Sequence, residues 1–539
     1  LYLLGDDGSV ANERIFGKTT LSEEMYIGHN MTSTLTLTYN KKIKGHSVSG
    51  LFVYEQFESL GSTLGASRTN FPFTSIDQLF AGGDDEEQSN WGNPSQDARK
   101  GFIGRFNYDY KGKYLAEFSF RYDGSLKFHP DRRWGFFPSV SLGWRLSEEA
   151  FMKKFSNLDN LKIRGSYGIL GNDAVGGWQW LTNYSFGDAY IFNQAPIKSI
   201  VSGGIPNVDL TWEKTSTFNL GVDASIYKGL LSVEADVFYK RTYDILGSRN
   251  ASMPQTFGAT LPSENYGVVK VKGFELQVKH DNKIGDFRYH VGGNVSWARN
   301  KVIERDYAAG IEPWNNPIGK TMGYRACFVA LGLFQSDDEA AAWPRFKGTQ
   351  PTAGDVKYAD LNNDGIMDER DKKVVSPYSN TPEIMFGLNL SASWKGFDFS
   401  ALFQGAANRN VMLSGFATQM FVNGSSNLPK YLYDDRWTPD NRNARYPKAW
   451  GPDHPSNNKA STFWLINGNY VRLKNMELGY SIPKVLLSKV GVERLRVYVG
   501  GTNLFSIDHM PGYDPEKQDG GPNYYPQQRV FNMGVNITF

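Results

Sequence analysis

Between positions 217 and 243 apolar and polar residues alternate strictly. Phe218, Leu220, Val222, Ala224 and Ile226 take turns with Asn219, Gly221, Asp223 and Ser225, a period that predicts a strand with one apolar and one polar face. Lys228-Gly229 turns the chain. Leu231, Val233, Ala235, Val237 and Tyr239 then resume the apolar series against Ser232, Glu234, Asp236 and Lys240, which predicts an antiparallel hairpin. Each run is about ten residues, enough to cross bilayer hydrocarbon at the tilt of a barrel strand and longer than a typical soluble strand. The expectation is a strand pair whose apolar face meets lipid and whose polar face lines a lumen.

The pattern recurs at 34–39, 46–56, 102–110, 114–122, 136–146, 161–170, 267–279, 287–298, 386–394, 397–404, 470–481, 495–505 and 530–539, and weakens over 300–378, where at most one strand is expected, at 324–334. With the first hairpin this predicts about sixteen strands. Short Lys/Gly turns alternate with long irregular stretches at 57–100, which holds Asp84-Asp85-Glu86-Glu87, and at 171–214. That asymmetry is expected of an outer-membrane barrel, with tight turns on one side and long extracellular loops on the other. Ser147-Glu148-Glu149-Ala150-Phe151 reads as one helical turn with an N-cap serine. In the final run Phe531, Met533, Val535, Ile537 and the last residue Phe539 share one face, similar to the signal by which barrel-assembly machinery recognises its clients.

Composition agrees. Aromatic residues make up 14% of the 539 residues and there are 56 glycines, while no apolar run reaches the length of a membrane-spanning helix. The net charge of +2 gives no sign of nucleic-acid binding. Cys327 is the single cysteine, so no intrachain disulfide staples the fold. The segment from Leu1 to Gly5 lacks the features of a signal peptide.

Several segments resemble the SusC/RagA family of TonB-dependent outer-membrane transporters from Bacteroidetes. They include Arg121-Tyr122-Asp123-Gly124-Ser125, the run from Arg133-Trp134-Gly135-Phe136-Phe137-Pro138 to Gly143-Trp144-Arg145, and Leu161-Lys162-Ile163-Arg164-Gly165-Ser166-Tyr167-Gly168. Leu210-Thr211-Trp212-Glu213-Lys214, Asp435-Arg436-Trp437-Thr438-Pro439-Asp440-Asn441 and Tyr470-Val471-Arg472-Leu473-Lys474-Asn475 extend the likeness. The resemblance implies an all-β transmembrane antiparallel barrel with long extracellular loops, residues 1–539 being the C-terminal portion of a 22-stranded barrel whose plug domain and TonB box lie outside this chain. It also implies nutrient import across the outer membrane, with an oligosaccharide or peptide substrate, a SusD-like surface lipoprotein as partner, and TonB acting through an N-terminal part. A non-transporting glycan- or protein-binding surface receptor is the alternative.

Two sets of residues carry candidate chemistry. Asp360, Asn362, Asp364, Ile366, Asp368 and Asp371 fall at positions 1, 3, 5, 7, 9 and 12 of a calcium-binding loop, with Gly365 at the sharp turn. Asp371 is shorter than the usual bidentate glutamate, and an Asx-turn loop with solvated carboxylates is the competing reading. Trp178, Trp180, Tyr184 and Tyr190 crowd one loop, and Trp314 and Trp343 lie in others. Aromatic faces stack on sugar rings or peptide side chains, so these six are substrate-binding candidates, with loop packing or an interfacial girdle as the duller account. Scattered histidines and the lack of a nucleophile elbow or phosphate loop give no catalytic reading.

Overall fold

The computed structural model describes residues 2–4, 10–13, 19–72, 75–83, 88–192, 195–257, 259, 261–421, 428–450, 456–487, 491–520, 525 and 527–539. A 15-stranded antiparallel sheet dominates, in which each long strand pairs with its neighbours in the order of the chain. The strands are Thr20–Ile43, His46–Thr69, Gln88–Tyr110, Tyr114–Ser125, Trp134–Arg145, Leu158–Asn172, Glu213–Ile226, Leu231–Ser248, Ser263–Ile284, Phe287–Glu304, Ile384–Trp394, Phe397–Ala407, Tyr470–Ser481, Arg494–Ile507 and Val530–Thr538. Such an up-and-down meander forms the wall of a barrel.

Register follows the alternation. Phe218 lies opposite Tyr239, Leu220 opposite Val237 and Val222 opposite Ala235, while Gly221 faces Asp236 and Asp223 faces Glu234. Phe218 and Leu220 are 49% and 44% exposed, so the apolar row points outward. The opposite row carries the charges. Aromatic side chains gather where the outward apolar rows end: Tyr114 beside Trp144 and Phe397 beside Tyr480 at the short-turn end, Phe274 beside Trp297 at the other. These are the two girdles of a membrane barrel. The two-residue turns Lys44-Gly45 and Lys395-Gly396 have φ of 45° and 88°, and 45° and 91°, the left-handed pair that a tight hairpin of matching twist requires.

Four local expectations are corrected. The 324–334 run divides into Arg325–Phe328 and Ala330–Leu333, which pair with Lys372–Ser376 and Val356–Tyr358 outside the barrel sheet; positive φ at Gly332 (123°) goes with the irregular register there. The 57–100 stretch is mostly strand, because His46–Thr69 and Gln88–Tyr110 stay in register from His46↔Tyr110 to Arg68↔Gln88. Beyond the girdle neither face meets lipid, so pairing persists without apolar alternation; the 84–87 acids lie outside the described residues. The 171–214 stretch contains a hairpin of Tyr184–Phe192 with Ala195–Ser202. The turn near Ser147 is a 3-10 turn over Leu146–Glu148, with Arg145 rather than Ser147 at its N-cap and no side-chain cap.

At the long-loop end, three connections fold together. Val411, Leu413, Met420, Leu432, Tyr446, Trp464 and Met510 form one buried cluster, and Phe328, Val356, Tyr358 and Met367 another, with Phe463 packed against both. Burial of these side chains holds segments distant in sequence as one body over that end of the wall.

Candidate functional site

The inward face offers ion pairs, amides and one overhanging segment. On Leu158–Asn172 the Arg164 guanidinium bonds Asp223 at 3.0 Å and both oxygens of Asp236 at 2.6 Å. The Asp236 fork spans the intervening Glu213–Ile226 strand. It passes over Gly221, where a Cβ would come within 2.6 Å of the Arg164 Cζ. Arg496 likewise joins Asp398 and Glu477 from neighbouring strands. Charges facing a lumen are thus paired along the wall, which fixes side chains that would otherwise be long and mobile.

Above this belt the segment around Asp514-Pro515-Glu516-Lys517 is strapped to the wall. Arg472 donates to Asp514 and Glu516 at 2.8 Å each, and its side chain and that of Asp514 are only 5% and 8% exposed. Lys474 adds a contact to Glu516 at 3.1 Å. Arg409, buried at the strand end, donates to the Pro515 and Lys517 carbonyls at 2.6 Å, and Arg325 holds Asp519 at 2.8 Å. Between strap and wall lies a cavity of about 850 Å³, with Glu234, Asp236, Glu275, Gln277, Asn294 and Gln404 on one side and Glu516 and Gln518 on the other. Amides and carboxylates at this density offer donors and acceptors to a polyhydroxylated or amide-rich ligand. Sequence alone marks none of these as a binding residue, and places Glu234 and Asp236, with Asn219 and Asp223, on the lumen face that bounds a pathway. The readable signal for the strap was a pair of cations, Arg472 and Lys474, inside an otherwise membrane-like strand.

The aromatic candidates do not form one platform. Trp178 and Trp180 are neighbours at 6.1 Å, and Trp180 also meets His129 edge-on at 5.3 Å. Tyr184 is 70% exposed at the start of its hairpin; the Tyr190 side chain lies outside the described residues. Trp343 donates from its ring nitrogen to the Tyr358 carbonyl at 2.8 Å, and the Lys357 Nζ sits 3.7 Å from its ring centre, so it packs the loop body. Trp314 has a buried ring N–H with no partner among the described residues, as does Trp180.

The acidic loop is ordered by its own hydrogen bonds. Asp360 accepts from the Asn363 and Gly365 amides at 2.7 and 2.9 Å, and Asn362 and Asp364 accept from Asp364 and Ile366 at 3.0 Å. Asp371 is fully buried and accepts from Leu361 and Asp368. The Arg370 guanidinium pairs with Asp364 at 2.6 Å and Asp368 at 2.8 Å, and holds the Asp368 carboxyl below its usual pKa. Among the described residues no three His, Cys, Asp or Glu side chains converge as a metal site. Cys327 is buried, which pushes its thiol up to about 11 and leaves it unreactive at neutral pH.

A family profile described as TonB dependent receptor-like, beta-barrel matches residues 5–504. TonB-dependent receptor P3 of Formosa agariphila is 28% identical over 95% of this chain and 52% of its own length. TonB-dependent receptor P26 of the same organism is 30% identical over 81% of this chain and 46% of its own. TonB-dependent receptor SusC of Bacteroides thetaiotaomicron is 27% identical over 81% and 43%. The chain therefore spans about half the length of the curated relatives it matches. Among solved structures, the RagAB peptide importer in its open-open state superposes with a TM-score of 0.77 at 24% identity, over 96% of this chain and 55% of that one. That likeness concerns the fold.

Proposed function

This chain belongs to the TonB-dependent receptor β-barrel family, and from that premise we propose that it forms wall and extracellular loops of a SusC-like nutrient importer in the bacterial outer membrane. Its long-loop end faces outward from the cell. The observation that carries the proposal is the cavity between wall and strap, whose lining of Glu275, Gln277, Asn294, Gln404 and Gln518 is polar on the face turned away from lipid. An oligosaccharide or peptide, received with a SusD-like surface lipoprotein, meets this lining on its way through, and TonB supplies the energy. Trp178, Trp180, Tyr184, Tyr190, Trp314 and Trp343 remain in the proposal as loop contacts for cargo or partner.

Calcium at Asp360, Asn362, Asp364, Ile366, Asp368 and Asp371 belongs to the same reading. The oxygen order in the sequence supports it, and it requires the Arg370 guanidinium to leave Asp364 and Asp368.

The test is uptake of labelled oligosaccharides and peptides by cells carrying the whole transporter, with and without TonB. Import that stops when TonB is removed is the expected result. Surface binding with no TonB-dependent import overturns it in favour of a receptor that holds its ligand without passing it on.

A further inference from the structure

The outward face of the barrel carries a basic pocket at one edge of the membrane. In backbone register, Val237, Phe274, Trp297 and Ile384 form the last wholly apolar outward row. The next outward row is Tyr239, Lys272 and Arg299, and the one beyond is Arg241, Lys270 and Lys301. Cations thus replace apolar side chains on three adjacent strands just past the aromatic girdle.

The arrangement is costly by itself. Lys272 is directly opposite Arg299, and Lys270 is opposite Arg241 on one side and Lys301 on the other; facing like charges destabilise a sheet. Arg299 is neutralised by Glu383 through two bonds of 2.7 Å, and Lys320 donates to three loop carbonyls, those of Pro313, Trp314 and Asn316. The nearby ion pair Lys214–Asp244 involves neither row. Arg241, Lys270, Lys272 and Lys301 have no carboxylate partner among the described residues. In a chain of net charge +2 this is a local concentration and not general basicity.

Lys270, Lys272, Arg299, Lys301 and Lys320 border a cavity of about 530 Å³ that Tyr324, Val374 and Pro377 also line, a volume in the range of small-ligand sites. Its lining is cationic, and Lys270, Lys272, Arg299 and Lys301 in it belong to the outward rows next to Tyr239. Uncompensated cations just past the apolar rows suit an anion held at headgroup height, next to acyl chains.

We propose that this pocket binds the phosphate-bearing headgroup of the outer-leaflet glycolipid, with Lys270, Lys272 and Lys301 contacting phosphate and the Tyr239–Phe274–Trp297 girdle resting against the first acyl segments. Clustered cations at a membrane face attract anionic headgroups, each contributing about fivefold in affinity. The proposal rests on the outer-membrane placement argued above, and on nothing about cargo.

The experiment uses the whole protein in mild detergent and native mass spectrometry with phosphorylated lipid A as probe, the same lipid A stripped of phosphate, and orthophosphate as competitor. Wild type is expected to retain phosphorylated lipid A, and the Lys270→Gln/Lys272→Gln/Lys301→Gln variant to lose on the order of a hundredfold in affinity. The Lys→Arg triple variant keeps the charge and is expected to keep binding. Stripped lipid A should bind wild type no better than it binds the glutamine variant. Equal retention of phosphorylated lipid A by wild type and the glutamine variant overturns the proposal. Displacement by millimolar orthophosphate overturns the lipid as source and leaves a free-phosphate site. Membrane fractionation separates the two readings: a chain absent from the outer membrane sinks the placement, whereas a correctly placed chain indifferent to phosphate sinks only the pocket.

Discussion

Arg164 and Asp236 are joined by a two-bond fork, at 2.6 Å for each bond, that reaches across an entire intervening strand. The reach is possible because Gly221 lies beneath it, with its would-be Cβ 2.6 Å from both the guanidinium carbon and Asp236 Oδ1. A side chain at position 221 and this ion pair therefore compete for one volume.

Gly221→Val is expected to destabilise the barrel by about 1–3 kcal/mol, the usual range for overpacking. Arg164→Ala should cost a comparable amount, because it leaves Asp223 and Asp236 facing the lumen without their shared cation. Urea unfolding of the two single variants and the double variant checks this. Costs that add fully in the double variant contradict a shared mechanism, since coupled sites are non-additive.

The strap depends on a pair that is nearly closed to solvent. Arg472→Ala takes the guanidinium away from the Asp514 carboxylate, which is only 8% exposed and also accepts from the Glu516 amide, and breaking such a buried ion pair costs about 3–5 kcal/mol. The expected result is faster proteolysis within 508–520, with cleavage elsewhere unchanged. Arg472→Lys should restore protection only partly, since a single ammonium cannot hold Asp514 and Glu516 together with the fork of an arginine. Unaltered cleavage in Arg472→Ala would show that Arg409 and Arg325 suffice.

Glu149 lies in the turn after Trp134–Arg145 and accepts hydrogen bonds from Tyr114 at 2.7 Å, Trp144 at 3.1 Å and Lys113 at 3.1 Å. These donors, Tyr114 foremost, lower its carboxyl from 4.5 to about 2. A depressed folded-state pKa means that its stabilisation is complete above pH 4.5 and disappears as pH falls toward 2. Melting temperature across that window should fall more steeply for wild type than for Glu149→Gln. Parallel curves would dismiss the network as a source of acid sensitivity.

Calcium titration of the whole, chelator-stripped protein tests the acidic loop. Binding heat that strengthens in Arg370→Ala and vanishes in Asp364→Ala is expected, because Arg370 occupies Asp364 and Asp368 as a resident cation. No heat in wild type or in Arg370→Ala removes calcium from the account.

The wall was legible in the sequence wherever one face meets lipid, because apolar alternation is then compulsory. The pairing of Phe218 with Tyr239 and of Leu220 with Val237 follows directly from it. The pattern fell silent above the girdle, where Leu64, 60% exposed, pairs with Gly92 and no period is needed. It also failed for the strap: Asp514 and Arg472 are 42 residues apart, and the cations Arg472 and Lys474 in a strand do not name their partners. Family resemblance supplied the transport reading, which the alternation alone does not reach. The basic outward rows were visible as Lys270, Lys272, Arg299 and Lys301, yet only the register showed them adjacent.

The division of the wall into a lipid face and a lumen face is the claim on which transport rests, and alternate-residue labelling tests it most directly. Cysteines placed singly at Asn219, Leu220, Val222 and Ser225, in a Cys327→Ser background, are treated in intact outer membranes with a membrane-impermeant maleimide and with a lipid-partitioning one. The account predicts that positions 219 and 225 react with the water-soluble reagent and positions 220 and 222 with the lipid-soluble one. Labelling of 220 and 222 by the impermeant reagent, equal to that of 219 and 225, would contradict it.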